Sequence, residues 1–105
     1  MSKTTYGNRL PRAASQDLKI VGEQIRLARL RRNLSMEQIA ERATCSIPSV
    51  AAVENGKSTV SIGIYIRVLY ALGLHKDILH LAAADPLGRD LQDIKLPRRQ
   101  RASKK

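Results

Sequence analysis

The spacing of apolar residues predicts a helix early in the chain. Leu18, Val21, Ile25 and Ala28 recur at intervals of three or four residues, so they share one face of a helix. The start of this pattern predicts that the helix begins near Asp17. We expect that face to contribute to a hydrophobic core, because an amphipathic helix buries its apolar side.

A capping signal predicts where the second helix begins. Ser35 is an N-cap residue, and Gln38, three positions later, completes a capping box. Met36 and Ile39 then lie on the inward face of a helix that ends near Thr44.

A third helix is predicted to follow after a very short connection. Ser46 is its N-cap residue, and Pro48 falls in the first turn, where a missing N–H group is harmless. Val50 and Val53 point inward, and the Asn55-Gly56 pair is a helix stop.

The stretch from Val60 to Val68 fits two patterns. Apolar residues alternate with polar ones, which is typical of a strand. A helical face also exists, made of Ile62, Tyr65, Val68, Leu69 and Leu72. Because the apolar run continues to Leu74, longer than a typical strand, the pattern favours a helix but leaves the strand open. A last helix is predicted to hold Ile78, Leu79, Leu81 and Ala82 and to end before Asp85-Pro86.

The predicted organisation is one all-α domain between two basic tails. Five helices occupy residues 15–85, residues 1–14 form a flexible basic arm, and residues 86–105 form a basic C-terminal tail. The whole chain has 19 Lys and Arg against 9 Asp and Glu, a net charge of +10. Such a charge attracts polyanions, of which nucleic acid is the commonest and an anionic membrane the competitor.

Composition narrows the classes of partner and compartment. The chain has no Trp or Phe and only three Tyr, which favours duplex DNA over single strands that stack on aromatic side chains. A single cysteine, Cys45, excludes an internal disulfide and fits a reducing cytosol. The polar N-terminus predicts no signal peptide, and no apolar run is long enough for a membrane span. We therefore expect a cytoplasmic, nucleoid-associated protein that does not contact membranes.

Features that suggest catalysis or cofactors are weak. Residues 51–58 read A-x-x-x-x-G-K-S, which matches a nucleotide-binding loop only loosely. His75 and His80 are five positions apart and therefore do not share a helical face. No His-carboxylate pair is placed to activate a serine. We predict no enzyme activity, no catalytic residue, no metal and no cofactor.

The segment from Val21 to Leu74 resembles the phage repressor and Cro type of helix-turn-helix, the XRE family. The resemblance is carried by Val21-Gly22, Ile25-Arg26, Arg29, Leu34-Ser35-Met36-Glu37-Gln38-Ile39-Ala40, Ser46, Val50, Val53-Glu54-Asn55-Gly56-Lys57 and Ala71-Leu72-Gly73-Leu74. It implies a five-helix, repressor-like fold in which Ile62 to Leu72 is helical. It also implies that the third helix lies in the major groove of double-stranded DNA.

The resemblance also implies the site residues. Those expected to contact DNA are Ser35, Met36, Ser46, Ile47, Pro48, Ser49, Ala52, Asn55, Lys57 and Ser58. The turn from Asn55 to Ser58 is expected to grip phosphate through backbone N–H groups, an amide and a cation. Arg29 and Glu54 occupy positions that form a structural salt bridge in repressor relatives.

The residues expected to read bases depart from the family pattern. We call Ile47, Pro48, Ser49 and Ala52 the reading edge. Ile47, Pro48 and Ala52 can touch only thymine methyl groups, and Ser49 alone can donate or accept a hydrogen bond. Three interpretations of this reading edge stay open. Specificity comes from DNA shape that the basic arms read (Arg9, Arg12, Arg98 to Arg101), or binding is electrostatic and weakly specific, or the fold is kept chiefly for partner binding.

A second resemblance concerns the segment from Asp85 to Asp93, which is similar to HipB-like antitoxins encoded beside HipA-type kinase toxins. It implies an autorepressor that binds an operator as a homodimer and also binds a kinase toxin. The alternatives are a protein-interaction module whose main partner is the toxin, and a weakly specific nucleoid-type DNA binder. The apolar surplus of the fourth helix is expected to meet a second subunit or the toxin, unless the fifth helix covers it.

Overall fold

A computed structural model describes residues 9–94, and every regular element within them is helical. We number the helices α1 (Arg12–Arg31), α2 (Met36–Ala43), α3 (Ile47–Glu54), α4 (Ile62–Ala71) and α5 (Pro86–Ile94), with a 3-10 helix (His75–His80) before α5. The all-α prediction is confirmed for this part of the chain, and the strand alternative for Val60 to Val68 is wrong. Residues 1–8 and 95–105, which hold most of the two predicted tails, lie outside the described residues.

Helix α1 begins earlier than the apolar pattern predicted. It starts at Arg12 instead of near Asp17, so residues 12–14, assigned to the basic arm, belong to the helix. Arg and Ala are among the strongest helix formers, so a first turn made of them needs no apolar face. Pro11 occupies the N-cap position, where its missing N–H group is not needed.

The predicted fifth helix is a single 3-10 segment instead of an amphipathic α-helix. Ile78 is half-buried, whereas Leu79 and Leu81 are exposed. Ala82 has a positive φ of 59°, which ends the helical geometry directly after the 3-10 helix. The prediction failed because it assumed that all the apolar residues of this stretch face the core.

Helix α5 lies in the stretch that the sequence assigned to the C-terminal tail. Asp85 is its N-cap, and its Oδ1 accepts a hydrogen bond from the backbone N–H of Gly88 at 3.0 Å. Pro86 is the first helical residue, the position that proline favours. The Asp85-Pro86 pair therefore begins a helix, where only the end of the preceding helix was predicted.

The core lies among α1, α2, α3 and α4. Its four fully buried large side chains are Ile39, Val50, Val53 and Val68. Helix α3 packs against α1, α2 and α4, so it is the central element of the domain. The apolar surplus of α4 is only partly covered: the 3-10 helix packs against α4, but Ile62 is 60% exposed.

Two glycines allow α1 to touch the end of α3 through its backbone. A Cβ atom on Gly22 would lie 2.7 Å from the carbonyl oxygens of Val53 and Glu54 and from the nitrogen of Gly56. A Cβ atom on Gly56, whose φ is +66°, would lie 2.6 Å from Cα of Lys19. The loop after α3 is thus held directly against α1.

We predict that Gly22→Ala destabilises the domain by about 1–3 kcal/mol, because backbone atoms cannot move aside as a flexible side chain can. Gly63→Ala is the matched control. Its Cβ would meet nothing closer than 3.7 Å within α4, so it should stabilise the domain by up to about 1 kcal/mol. Urea denaturation measures both, and equal effects of the two variants would contradict the close approach.

Candidate nucleic-acid interface

The N-terminus of α3 is fixed by its own serines. The backbone N–H of Ser49 donates to Ser46 Oγ at 3.1 Å, and the two hydroxyl oxygens are 2.9 Å apart. Pro48 lies in the first turn, as predicted. The side chain of Ser49 therefore takes part in the cap and still has a hydroxyl group on the half-buried surface of the helix.

The reading edge lies on the side of α3 that faces away from the core. Val50, Val53 and Glu54 are buried on the opposite side. On the reading edge, Ile47 is 46% exposed and Pro48 is also exposed. Ser49 and Ala52 are half-buried. An exposed isoleucine at the start of a helix that buries valines on its other face gives this surface an apolar contact point.

Helix α2 begins with the predicted capping box. The backbone N–H of Gln38 donates to Ser35 Oγ at 3.1 Å, and the backbone N–H of Ser35 donates to Gln38 Oε1 at 2.8 Å. Ser35 is exposed and within reach of a ligand. Met36 is half-buried and packs against the core, so little of it is left for contact with DNA.

The turn between α2 and α3 contains a strained residue. Thr44 has φ 57° and ψ 50°, the left-handed region that is unfavourable for a β-branched side chain. Its N–H donates to the carbonyl of Glu41, and that of Cys45 donates to the carbonyl of Ala40. These bonds close α2 and let α3 begin two residues later. No sequence signal indicated this conformation at a threonine.

The loop after α3 differs from the expected phosphate grip in one respect. The N–H groups of Gly56 and Lys57 donate to the carbonyls of Val53 and Ala52, both at 3.0 Å, and that of Asn55 donates to Ala51. This is a Schellman closure of α3. The backbone N–H groups of these three residues already have acceptors within α3, so a phosphate contact from this turn depends mainly on its side chains. The side chains of Asn55, Lys57 and Ser58 are exposed.

A tyrosine that the sequence did not single out fastens this loop. The hydroxyl of Tyr65 donates to the backbone carbonyl of Lys57 at 2.7 Å. Burial raises the pKa of the Tyr65 phenol, so its hydroxyl keeps its proton as a donor. Tyr65 was predicted as a core residue of α4, and nothing in its spacing indicated this contact with the loop.

The ion pair that the resemblance implied lies beneath the same loop. Arg29 Nε and Nη2 donate to the two carboxylate oxygens of Glu54 at 2.6 and 3.0 Å, and Nη1 donates to the carbonyl of Leu34 at 2.9 Å. Arg29 and Glu54 are only 7% and 6% exposed. The hydrogen bond to Glu54 raises the pKa of the Arg29 guanidinium, which therefore holds its charge.

The other chemical features have structural surroundings. Residues 51–54 of the loose nucleotide-binding match are helical, and no strand precedes them among the described residues. Burial raises the pKa of the Cys45 thiol, although Arg67 lowers it in part, so this cysteine is a poor nucleophile. Across residues 9–94, no group of three or more His, Cys, Asp or Glu side chains is placed to hold a metal ion. In the same range, no helix is both long and apolar enough to cross a membrane.

A comparison with protein families identifies the type of domain. A family model for the helix-turn-helix domain matches residues 20–82, which is more than half of the chain. The matched segment runs from α1 to the end of the 3-10 helix and includes the whole reading edge. No curated protein and no solved structure matches the chain.

We predict that Glu54→Leu lowers the free energy of unfolding by about 3–5 kcal/mol, because it leaves the Arg29 charge buried without a partner. The double variant Arg29→Met/Glu54→Leu should recover at least half of that loss, since no buried charge remains. It will not recover all of it, because the carbonyl of Leu34 loses its donor. Urea denaturation of both variants measures the difference.

The exposed pair of Arg26 and Glu23, 3.2 Å apart within α1, is the control. Glu23→Leu should change stability by less than about 1 kcal/mol. A double variant at the buried pair that is no more stable than Glu54→Leu alone would contradict the role assigned to the buried charge.

Proposed function

Because the chain belongs to the helix-turn-helix domain family, we propose that it is a sequence-specific transcriptional regulator that binds double-stranded DNA and represses its own operon. The observation that carries this proposal is the reading edge of α3, which is turned away from the core on a helix held by α1, α2 and α4. In the helix-turn-helix mode of binding, a helix so exposed enters the major groove.

Phosphate contacts position the domain in this proposal. Lys57 supplies a cation and Asn55 an amide, both exposed at the end of α3. Ser58, Ser35 and Ser46 add hydroxyl groups, the last two at helix N-termini, whose partial positive charge favours anions. The Schellman closure and the Tyr65 hydrogen bond hold Lys57 in place before DNA arrives.

Base contacts in this proposal are mainly apolar. Ile47, Pro48 and Ala52 recognise thymine methyl groups in the major groove, and Ser49 makes the one hydrogen bond that the reading edge offers. Additional specificity comes from DNA shape, read by basic residues that include Arg9. The other basic residues considered for this role, Arg98 to Arg101, lie outside the described residues.

We further propose that the protein works as a homodimer. A two-fold dimer presents two α3 helices to half-sites about one DNA turn apart, which doubles the contacts made by one domain. We also propose that this repressor is the antitoxin of a HipA-type kinase toxin. This proposal is supported by the similarity of the Asp85–Asp93 segment to HipB-like antitoxins. Its place is then the cytoplasm, on the nucleoid.

A second candidate function is a protein-interaction module whose main partner is the toxin. It is favoured by three exposed apolar side chains that share one face of α1, namely Ile20, Leu27 and Leu30. Isolated exposed apolar residues are common, but a stripe of three on one helix is typical of an interaction surface. In this alternative DNA binding is secondary and weakly specific.

We predict that the full chain binds the duplex upstream of its own gene more tightly than a random duplex in a gel-shift assay. Replacing thymine by uracil in the bound site should weaken binding about fourfold for each methyl group that contacts Ile47 or Ala52, since burying one such group contributes about 0.8 kcal/mol. Equal affinity for the upstream and random duplexes would contradict specific repression. Uracil substitution without effect would contradict apolar readout alone.

Lys57→Gln should weaken binding to every duplex by a similar factor, because a phosphate contact carries no sequence information. The slope of log affinity against log salt should become less steep by about 1, the contribution of one phosphate contact. Lys76→Gln, a change at another exposed lysine, in the 3-10 helix, is the control and should leave the slope unchanged. A Lys57→Gln slope equal to that of the unaltered protein would rule out the phosphate contact.

A further inference from the structure

An open apolar groove lies between α1, α4 and the 3-10 helix. Its volume is about 480 Å³. Its walls include Leu18 and Val21 from α1, Ile62 and Leu69 from α4, and Ile78 and Leu81 from the chain around the 3-10 helix. The rim carries one charge of each sign, Lys57 and Asp77.

Helix α5 presents an apolar face that no described part of the chain covers. Leu87, Leu91 and Ile94 follow one another at intervals of four and three residues, so they share one side of the helix. All three are exposed. Helix α5 packs extensively against none of the other described helices. A helix of nine residues is marginal alone in water, so this one needs a partner surface.

The residues just before α5 are hydrogen-bonded to the first turn of α5. Asp85 caps the helix, and Arg89 Nη2 donates to the carbonyl of Ala83 at 3.1 Å. Ala82, in the left-handed region, turns the chain just before this unit. No residue of α5 lines the groove of its own chain, and residues 82–87, which lead into the helix, are all exposed.

We propose that α5 of one copy docks in the apolar groove of a second copy, and that the exchange is reciprocal. The groove is an apolar concavity, and the exposed face of α5 is a convex apolar surface. Their charges are compatible, since Asp90 flanks the apolar face of α5, three residues after Leu87, and is opposite in charge to Lys57 at the rim. Reciprocal exchange is a closed two-fold arrangement. The inference rests on the homodimer of the proposed function and specifies how that dimer is built.

The exchange also connects dimer formation with DNA binding. Lys57 and Ser58 line the groove, and they also belong to the loop proposed to contact phosphate. An α5 helix seated there lies next to the loop of the partner copy. In a copy without a docked helix, the Lys57–Ser58 loop therefore has no partner helix packed beside it.

Two single variants separate the two halves of the contact. Leu91→Asp spoils the apolar face of α5 and leaves the groove intact. Ile62→Asp places a charge in the groove at an exposed position, where an acidic residue suits the first turn of α4. The matched controls are Gln92→Asp on the opposite face of α5 and Leu79→Asp, which is exposed and outside the groove. Circular dichroism checks that each variant stays folded.

Sedimentation velocity of the full chain over a range of concentrations gives the oligomeric state. The unaltered protein and both controls should be dimers, and each of the two test variants should raise the dimer dissociation constant by about tenfold or more. A mixture of Leu91→Asp with Ile62→Asp should form dimers again. In that heterodimer the intact α5 of the Ile62→Asp chain meets the intact groove of the Leu91→Asp chain.

Three outcomes would overturn the exchange. A monomeric unaltered protein would mean that α5 folds into its own groove or stays free, and it would also contradict the proposed homodimer. Dimers that survive Leu91→Asp would place the interface elsewhere. A mixture that forms no more dimer than its two components would contradict the docking of α5 of one copy in the groove of the other. A gel-shift with the same variants tests DNA binding separately, so that failure of the exchange is not mistaken for failure of the regulator.

Discussion

The buried ion pair between Arg29 and Glu54 is the interaction on which the rest of the structure depends. Glu54 is the last residue of α3, and Arg29 lies in the last turns of α1, so the pair fixes the end of one helix against the other. The third guanidinium bond, to the carbonyl of Leu34, reaches the segment that leads into α2. A single side chain thus connects three elements, and its charge is tolerated in the core only because two carboxylate oxygens and one carbonyl oxygen accept hydrogen bonds from it.

Around this pair the structure separates positioning from reading. The Gly22 and Gly56 backbone contact and the hydrogen bond from Tyr65 hold the loop after α3, so that Lys57 is presented at a defined place. The reading edge offers few polar groups, and its side chain at the start of α3, Ile47, is apolar and exposed. In the proposed function, such a domain is positioned on the phosphate backbone, and its discrimination between bases depends on methyl contacts and on the shape of the DNA.

Local signals in the sequence predicted where several helices begin and end. Contacts between residues that are distant in the sequence could not be predicted from such signals. The serine caps at Ser35 and Ser46 and the stop at Asn55-Gly56 act within a few residues, so the sequence alone placed α2 and α3 well. The Arg29–Glu54 pair came from resemblance, since nothing local indicates a contact 25 positions apart. The N–H groups of the Asn55 loop were assigned to a ligand because the Schellman closure was not recognised. The start of α5 could have been predicted, because Leu87, Leu91 and Ile94 follow Asp85-Pro86 at helical spacing, but the same pair also fits the end of a preceding helix.

The most direct test of the account follows the backbone amide signals of the isotope-labelled full chain by nuclear magnetic resonance while duplex DNA from upstream of its gene is added. We expect the largest shifts in three segments: Ser35 to Gln38, Ser46 to Ala52, and Asn55 to Ser58. The buried Arg29–Glu54 region should move little, because it is already fixed in the free protein. Shifts confined to the exposed face of α1 or to α5, with none in α3, would contradict the docking of the reading edge of α3 on DNA.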